Sequence, residues 1–259
     1  MTIHGTTDLL RASALSVLAL IATSAKAGII ASDNASNYSG PSWSDGANQG
    51  FGFKPWKMWR SASDLAGWRF EAAGTYLGAN AASMDTSGRS FMLRGQGIVT
   101  AARDLTQPMA VGETFSFDLA HQSHLNFRGF QLWNHGTYGD NQLFNFQIDS
   151  NGYSWTGGGS APVIAWSGLR QFGVNIHVEF TRTATGYLYS FQSAQGLSAS
   201  GSISGRFDYV KMYHQYGSTG DWDFQNSTFF NNLRVSAIPA PGAVALLGAA
   251  GLMGRRRRN

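Results

Sequence analysis

The chain has no cysteine, six prolines and few charges, with charged residues making up 13% of its length. Without cysteine there are no disulfides, thiolate metal sites or cysteine nucleophiles. Metal chemistry would fall to histidine and carboxylates, and neither offers a recognisable spacing. His121 and His124 lie three apart without the third ligand that zinc needs, and no HExxH pattern accompanies them. Neither a Gly-x-Ser-x-Gly elbow nor a phosphate-binding loop is present. Glutamate is scarce: Glu71, Glu113 and Glu179 are the three in the body of the chain. The two carboxylates that glycoside hydrolysis needs are not marked by any motif. The expectation is therefore a chain that is not an enzyme, with an orphan glycan hydrolase as the third choice.

Strong positive charge is also missing once the ends are set aside. Arg11, Lys26 and Arg255–Arg258 belong to the termini, as does Asp8. Residues 28–237 then hold 13 basic against 14 acidic side chains, a net charge of −1. The sequence pI of about 9.5 comes from the terminal segments and argues for no nucleic-acid partner.

Those ends carry their own pattern. Arg11 precedes the apolar run Ala12–Ile21, and Ala25-Lys26-Ala27 supplies a small-x-small cleavage pattern. Residues 1–27 thus read as a signal peptide with a short helix, removed by signal peptidase after Ala27. At the other end, Ile238-Pro239-Ala240-Pro241 is followed by the Gly/Ala/Leu segment Gly242–Gly254 and then by Arg255, Arg256, Arg257 and Arg258. The segment reads as a hydrophobic helix that is marginal as a permanent membrane anchor. The arginines would stay cytoplasmic by the positive-inside rule, leaving the body outside.

The order Pro-x-Pro, apolar segment, arginine cluster over residues 238–259 resembles a PEP-CTERM sorting signal, in the variant with Ala240 between the prolines. The resemblance implies transient membrane anchoring, cleavage near Pro239–Pro241 by an exosortase, and an association with exopolysaccharide production. It places the protein at the cell surface or in the extracellular matrix, as in a biofilm.

Residues 28–237 form the third segment, expected to be one domain. Period-two alternation recurs there: Phe115, Phe117 and Leu119; Phe144, Phe146 and Ile148; Val174, Ile176, Val178 and Phe180; Tyr187, Tyr189 and Phe191. Such alternation marks half-buried strands. Phe207–Tyr213 and Phe229–Val235 are further strand candidates, and glycine-rich turns separate the runs. No window outside the termini shows helical periodicity. Roughly one strand every 10–15 residues suits an all-β, antiparallel β-sandwich of the jelly-roll or lectin-like kind. Ala31–Gly52, rich in Ser, Asn and Gly, reads as a loosely ordered lead-in or a first edge strand. The stretches from Phe51-Gly52-Phe53 to Phe229–Val235, with Gly67–Phe70, Met84–Phe91, Ala101–Leu105 and Val111–Ser116 between them, resemble uncharacterised β-sandwich modules of secreted bacterial proteins. Some of those stand beside polysaccharide-degrading domains, and the likeness implies carbohydrate binding without naming a ligand.

Eight tryptophans are available for such a role. An indole packs against the C–H face of a sugar while neighbouring planar polar groups bond its hydroxyls. Three neighbourhoods mix the two: Trp56-Lys57-Met58-Trp59-Arg60; Gln131–Asp140 with Trp133, Asn134, His135 and Tyr138; and Asp221-Trp222-Asp223 with Gln225 and Asn226. Trp56, Trp59, Trp133, Asn134, Tyr138 and Trp222 are the glycan-binding candidates. Asp221 and Asp223 are weak Ca²⁺ candidates, and no other cofactor is indicated. The expected function is association with extracellular polysaccharide, and the alternative is a structural surface protein with protein partners.

Overall fold

The computed structural model describes residues 28–41, 43–61, 67–122, 127–136, 139–150, 152–157, 163–167, 173–216 and 227–237. The signal segment and the sorting tail, each expected to be helical, lie outside them. No helix among the described residues is long and apolar enough to cross a membrane.

Two antiparallel sheets pack face to face, as the alternation predicts. The larger has β1 (Gly28–Asp33), β3 (Gly67–Glu71), β4 (Ser90–Arg94), β6 (Glu113–His121), β11 (Ile176–Arg182), β12 (Gly186–Ser193), β13 (Ser198–Ser204) and β15 (Thr228–Ala237). Its order is β13-β12-β11-β6-β15-β4-β3, with β1 also paired to β15. The second has β2 (Lys57–Arg60), β5 (Gly97–Asp104), β7 (Phe127–Gly136), β8 (Gly139–Asp149), β9 (Gly152–Gly157), β10 (Val163–Ser167) and β14 (Tyr209–Tyr216). Its order is β10-β9-β8-β7-β14-β5-β2.

The core follows from register. Phe115, Phe117 and Leu119 of β6 stand opposite Phe180, Val178 and Ile176 of β11. Phe180 and Val178 in turn face Tyr189 and Phe191 of β12. Period two then sends these rows to one side, where they meet Phe130, Phe144 and Phe146 of the second sheet. Phe117 meets Phe130 edge-on at 4.9 Å, and Phe130 stacks on Phe146 at 5.3 Å. Offset and edge-on pairs of this kind are the favoured aromatic geometries.

Two features depart from the sequence reading. First, short helices α1 (Ala73–Leu77) and α2 (Ala79–Ala82) precede β4. Each is too short to show a period, and the cap is not local. The Asp85 carboxylate accepts from the backbone N–H of Ala73 and Gly74 at 2.8 and 3.0 Å, holding an anion where the helix dipole favours one. Second, Ala31–Gly52 is no loose lead-in: Ala31–Asp33 belong to the first strand, β1, as the strand alternative has it, and the rest is packed. Tyr38 and Trp43 are buried in the main core, and Ser32 bridges to Phe51. Gly52 makes that bridge feasible: at φ +75° a Cβ there would lie 2.4 Å from the Ala31 Cβ.

Candidate functional site

The same parity that fills the core dictates what the second sheet shows outside. On β14, Val210 and Met212 are core residues, so Tyr209, Lys211 and Tyr213 take the other face, where neighbours cover both tyrosines and leave Lys211 part-exposed. On β7, Leu132 and Phe130 are core, which puts Gln131, Trp133 and His135 outside. On β5 and β2 the outer positions are Thr100, Ala102, Asp104, Lys57 and Trp59. Register then assembles rows that cross the strands. One runs Asp104–Tyr209–Trp133, the next Lys57–Ala102–Lys211–Gln131–Asn145, and a third Trp59–Thr100–Tyr213–Gly129.

The first row is aromatic and rigidly held. Trp133 and Tyr209 lie nearly parallel, 8° apart, with centroids at 6.2 Å. His135 stacks on Tyr209 at 4.4 Å. Its Nε2 meets Asp104 Oδ1 at 3.3 Å, while Lys57 Nζ donates to Asp104 Oδ2 at 2.9 Å. Burial pushes the Asp104 carboxyl up, but the hydrogen bonds from Lys57 and His135 outweigh it and leave the pKa below the ordinary carboxylate range. The indole Nε1 of Trp133 donates to Gln131 Oε1 at 3.0 Å, fixing both side chains. In the third row Gly129 stands opposite Tyr213, whose Oη donates to Phe146 O and Asn145 Oδ1 at 3.2 and 3.3 Å. A Cβ on Gly129, at φ +146°, would collide with Phe146 O at 2.0 Å.

The sequence candidates divide accordingly. Trp59 and Trp133 share this outer face, three strands across and four residues along, about 19 Å apart; Trp59 is 55% exposed. Trp56 is corrected: it is 1% exposed, stacks edge-on against Trp43 at 4.6 Å, and gives its N–H to Asp33 Oδ2 and Tyr38 Oη. Parity explains this, since position 56 falls on the inner side when Lys57 and Trp59 face out. Asn134 stands between Trp133 and His135 on β7 and is half-buried. Tyr138, Trp222, Asp221 and Asp223 lie outside the described residues. Tyr209, Lys211, Tyr213 and Asp104 were missed, although the alternation of Tyr209, Lys211 and Tyr213 with Val210 and Met212 carried the signal.

A second polar cluster lies on the outside of the larger sheet. His177 Nδ1 meets Asp118 Oδ1 at 2.9 Å and its Nε2 meets Glu179 Oε1 at 3.4 Å. The Asn232 amide donates to Asp118 Oδ2 at 2.7 Å, from a left-handed backbone at φ +58°. The hydrogen bond to Asp118 outweighs burial and raises the His177 pKa. Among the described residues no three or more His, Asp or Glu side chains group as a metal site. His121 is held instead by Tyr153, Nε2 to Oη at 2.8 Å, and His124 lies outside the described residues.

No protein-family model matches the chain, and no curated protein does. Among solved structures it is similar to a sialidase, at 12% identity and TM-score 0.44 over 71% of this chain and 17% of that one. It is also similar to domain 4 of an extracellular arabinanase from Geobacillus stearothermophilus, solved with arabinotriose, at 12% identity and TM-score 0.41 over 82% and 93%. A third is lectin I-B4 from Griffonia simplicifolia in its metal-free form, at 10% identity and TM-score 0.41 over 71% and 92%. The chain thus spans about a sixth of the sialidase. At these identities the likeness concerns the fold alone. The expectation that the chain is not an enzyme is corrected here. Sialidases and an alginate lyase stand among the matches, and the exclusion of catalysis is withdrawn.

Proposed function

We propose that the protein is exported, processed at Pro239–Pro241 by an exosortase, and binds extracellular polysaccharide across the outer face of its second sheet. The observation that carries the binding is the pair Trp133 and His135, braced by the buried Tyr209 and flanked by Gln131 and Lys211, with Trp59 exposed on the same face. Flat apolar rings beside fixed hydrogen-bonding groups are what a pyranose needs on its two kinds of surface. The separation of Trp59 from Trp133 favours an extended chain over a single sugar. Localisation at the cell surface or in the matrix rests on the terminal segments. Intact mass of the protein taken from the surface is expected to fit a chain beginning at Gly28 and ending near Pro241. A mass retaining Arg255–Arg258 overturns the processing.

The binding test is affinity electrophoresis in the producing cell's own matrix polysaccharide, with and without Ca²⁺. Trp133→Ala is expected to weaken retardation about tenfold, the equivalent of about 1.4 kcal/mol, and Trp59→Ala to weaken it less. Unretarded wild-type protein overturns the reading. It would favour the second one, a structural matrix protein, for which one observation speaks: edge strand β13 is uncharged, whereas edges β2 and β3 carry Lys57, Arg60, Arg69 and Glu71. Charges on an edge guard against strand pairing with another chain.

A further inference from the structure

Three lysines occur among the described residues, and one of them is unlike the others. Lys54 and Lys57 both face Asp104, at 3.9 and 2.9 Å. Lys211 faces no carboxylate among the described residues. It stands at the middle of β14 with its Nζ 5.5 Å from the Trp133 ring centroid. It is partly buried, and that burial alone pushes its pKa below the ordinary lysine value.

The surroundings of Lys211 are donors around a gap. Its register partner on β5 is Ala102, whose methyl leaves the position above it open, and beyond Ala102 stands Lys57. On the other side is Gln131. The Gln131 side-chain carbonyl is occupied by the Trp133 indole N–H, which leaves the amide N–H₂ as its remaining polar group. The Lys211 ammonium thus stands beside an aromatic ring, between a small residue and a glutamine, with the Asp104-paired Lys57 beyond Ala102. A half-desolvated cation without a counter-charge costs free energy unless an anion completes it.

We infer that the row Lys57–Ala102–Lys211–Gln131 binds an anionic substituent, carboxylate or sulfate ester, of the polysaccharide that lies on Trp133. The inference rests on the glycan reading proposed above and adds the ligand's class. An ammonium is a compact point charge without the planar fork of arginine, so it suits either oxyanion. With residues 28–237 near neutrality, diffuse attraction between protein and polymer would not produce the same preference.

The test uses the protein as isolated from its host, in gels containing polygalacturonate, carboxyl-reduced polygalacturonate, dextran sulfate or dextran. At least one anionic polymer is expected to bind about tenfold tighter than its neutral partner, the worth of one hydrogen bond to a charged group. Lys211→Gln is expected to weaken binding to the anionic polymer about tenfold more than binding to its neutral partner, which abolishes that ratio. Lys211→Arg should keep most of the ratio. Lys54→Gln, which removes the same charge from outside the row, should keep all of it. Which pair shows the preference identifies carboxylate or sulfate. Equal binding of anionic and neutral partners overturns this inference and leaves the glycan reading intact. A preference that survives Lys211→Gln also overturns it. Absence of binding to all four polymers and to the matrix polysaccharide overturns both.

Discussion

Replacing Arg103 by alanine is expected to cost about 3–5 kcal/mol, the penalty for stranding one member of a buried ion pair. Arg103 and Asp33 are fully buried, and the guanidinium Nη1 is bonded to Asp33 Oδ2 and to Tyr38 Oη. Its Nε donates to Lys54 O at 3.0 Å and its Nη2 to Asn48 Oδ1. The cation lies 5.0 Å from the Trp56 ring centroid and 5.2 Å from that of Phe53. The carboxylate also accepts from Asn37, Tyr38 and Trp56. Burial pushes the Asp33 pKa up even with the arginine present. Without the arginine it rises further, above its unfolded value, so the folded variant gains from protonation at low pH and loses that gain as pH rises. The deficit should therefore be larger at neutral than at mildly acidic pH, by up to about 1.4 kcal/mol per unit. Urea denaturation at the two pH values measures it. In a domain of this size it lowers Tm by about 10 °C or more. The double variant Arg103→Met with Asp33→Asn should recover most of the loss, because the pair's attraction largely offsets its own desolvation. A loss below about 1 kcal/mol, or one that does not vary with pH, would mean that neutral donors alone satisfy Asp33.

That pair also marks the limit of what a sequence displays. Asp33 and Arg103 are 70 positions apart and no local pattern links them. The strands at Phe115–Leu119, Phe144–Ile148, Ile176–Phe180 and Tyr187–Phe191 were legible because each alternates strictly and has a core on one side. The last strand, β15, was harder. Asn231 is fully buried in it, accepting from Ala35 N and donating to Met84 O, and Asn232 takes a left-handed turn of backbone. Side-chain bonding at Asn231 joins the apolar packing of Phe229, Phe230 and Leu233 there, and alternation does not report it. The site was half legible. Composition pointed to Trp133 and Trp59, yet composition also pointed to Trp56, which parity with Lys57 and Trp59 sends inward. Tyr209 and Lys211 escaped because they adjoin Trp133 only through the β7–β14 register, a pairing across more than 70 residues. The segments behind the export and processing proposals lie outside the described residues, so they rest on the sequence.

A second large effect should appear on mild acidification. His214 is fully buried on the inner side of β14. Its Nε2 lies 3.2 Å from Gly95 O and its Nδ1 lies 3.1 Å from Thr228 Oγ1. A carbonyl can only accept, so Nε2 carries the proton and Nδ1 accepts from the threonine hydroxyl. A second proton would break the threonine bond and place a charge in the interior beside Arg128, itself fully buried. Burial first, and then that arginine, push the pKa down to about 3. The sign follows from linkage: between about pH 6.5 and 3 the unfolded chain binds a proton that the folded chain refuses, so stability falls as pH falls. The slope approaches 1.4 kcal/mol per pH unit, or about 2–3 kcal/mol between pH 6.5 and 4.5. His177 acts in the opposite sense. Its pKa is raised, so its contribution is present at low pH and is lost as pH rises through the folded value. Its exposure makes that term small. Tm measured from pH 6.5 to 4.5 should therefore drop by about 5–10 °C in the wild type. His214→Gln, which keeps a donor and an acceptor but cannot be protonated, should start less stable and lose much less over the same range. An equal slope in the two proteins would show that other groups carry the acid sensitivity and that His214 is protonated in the fold at no cost.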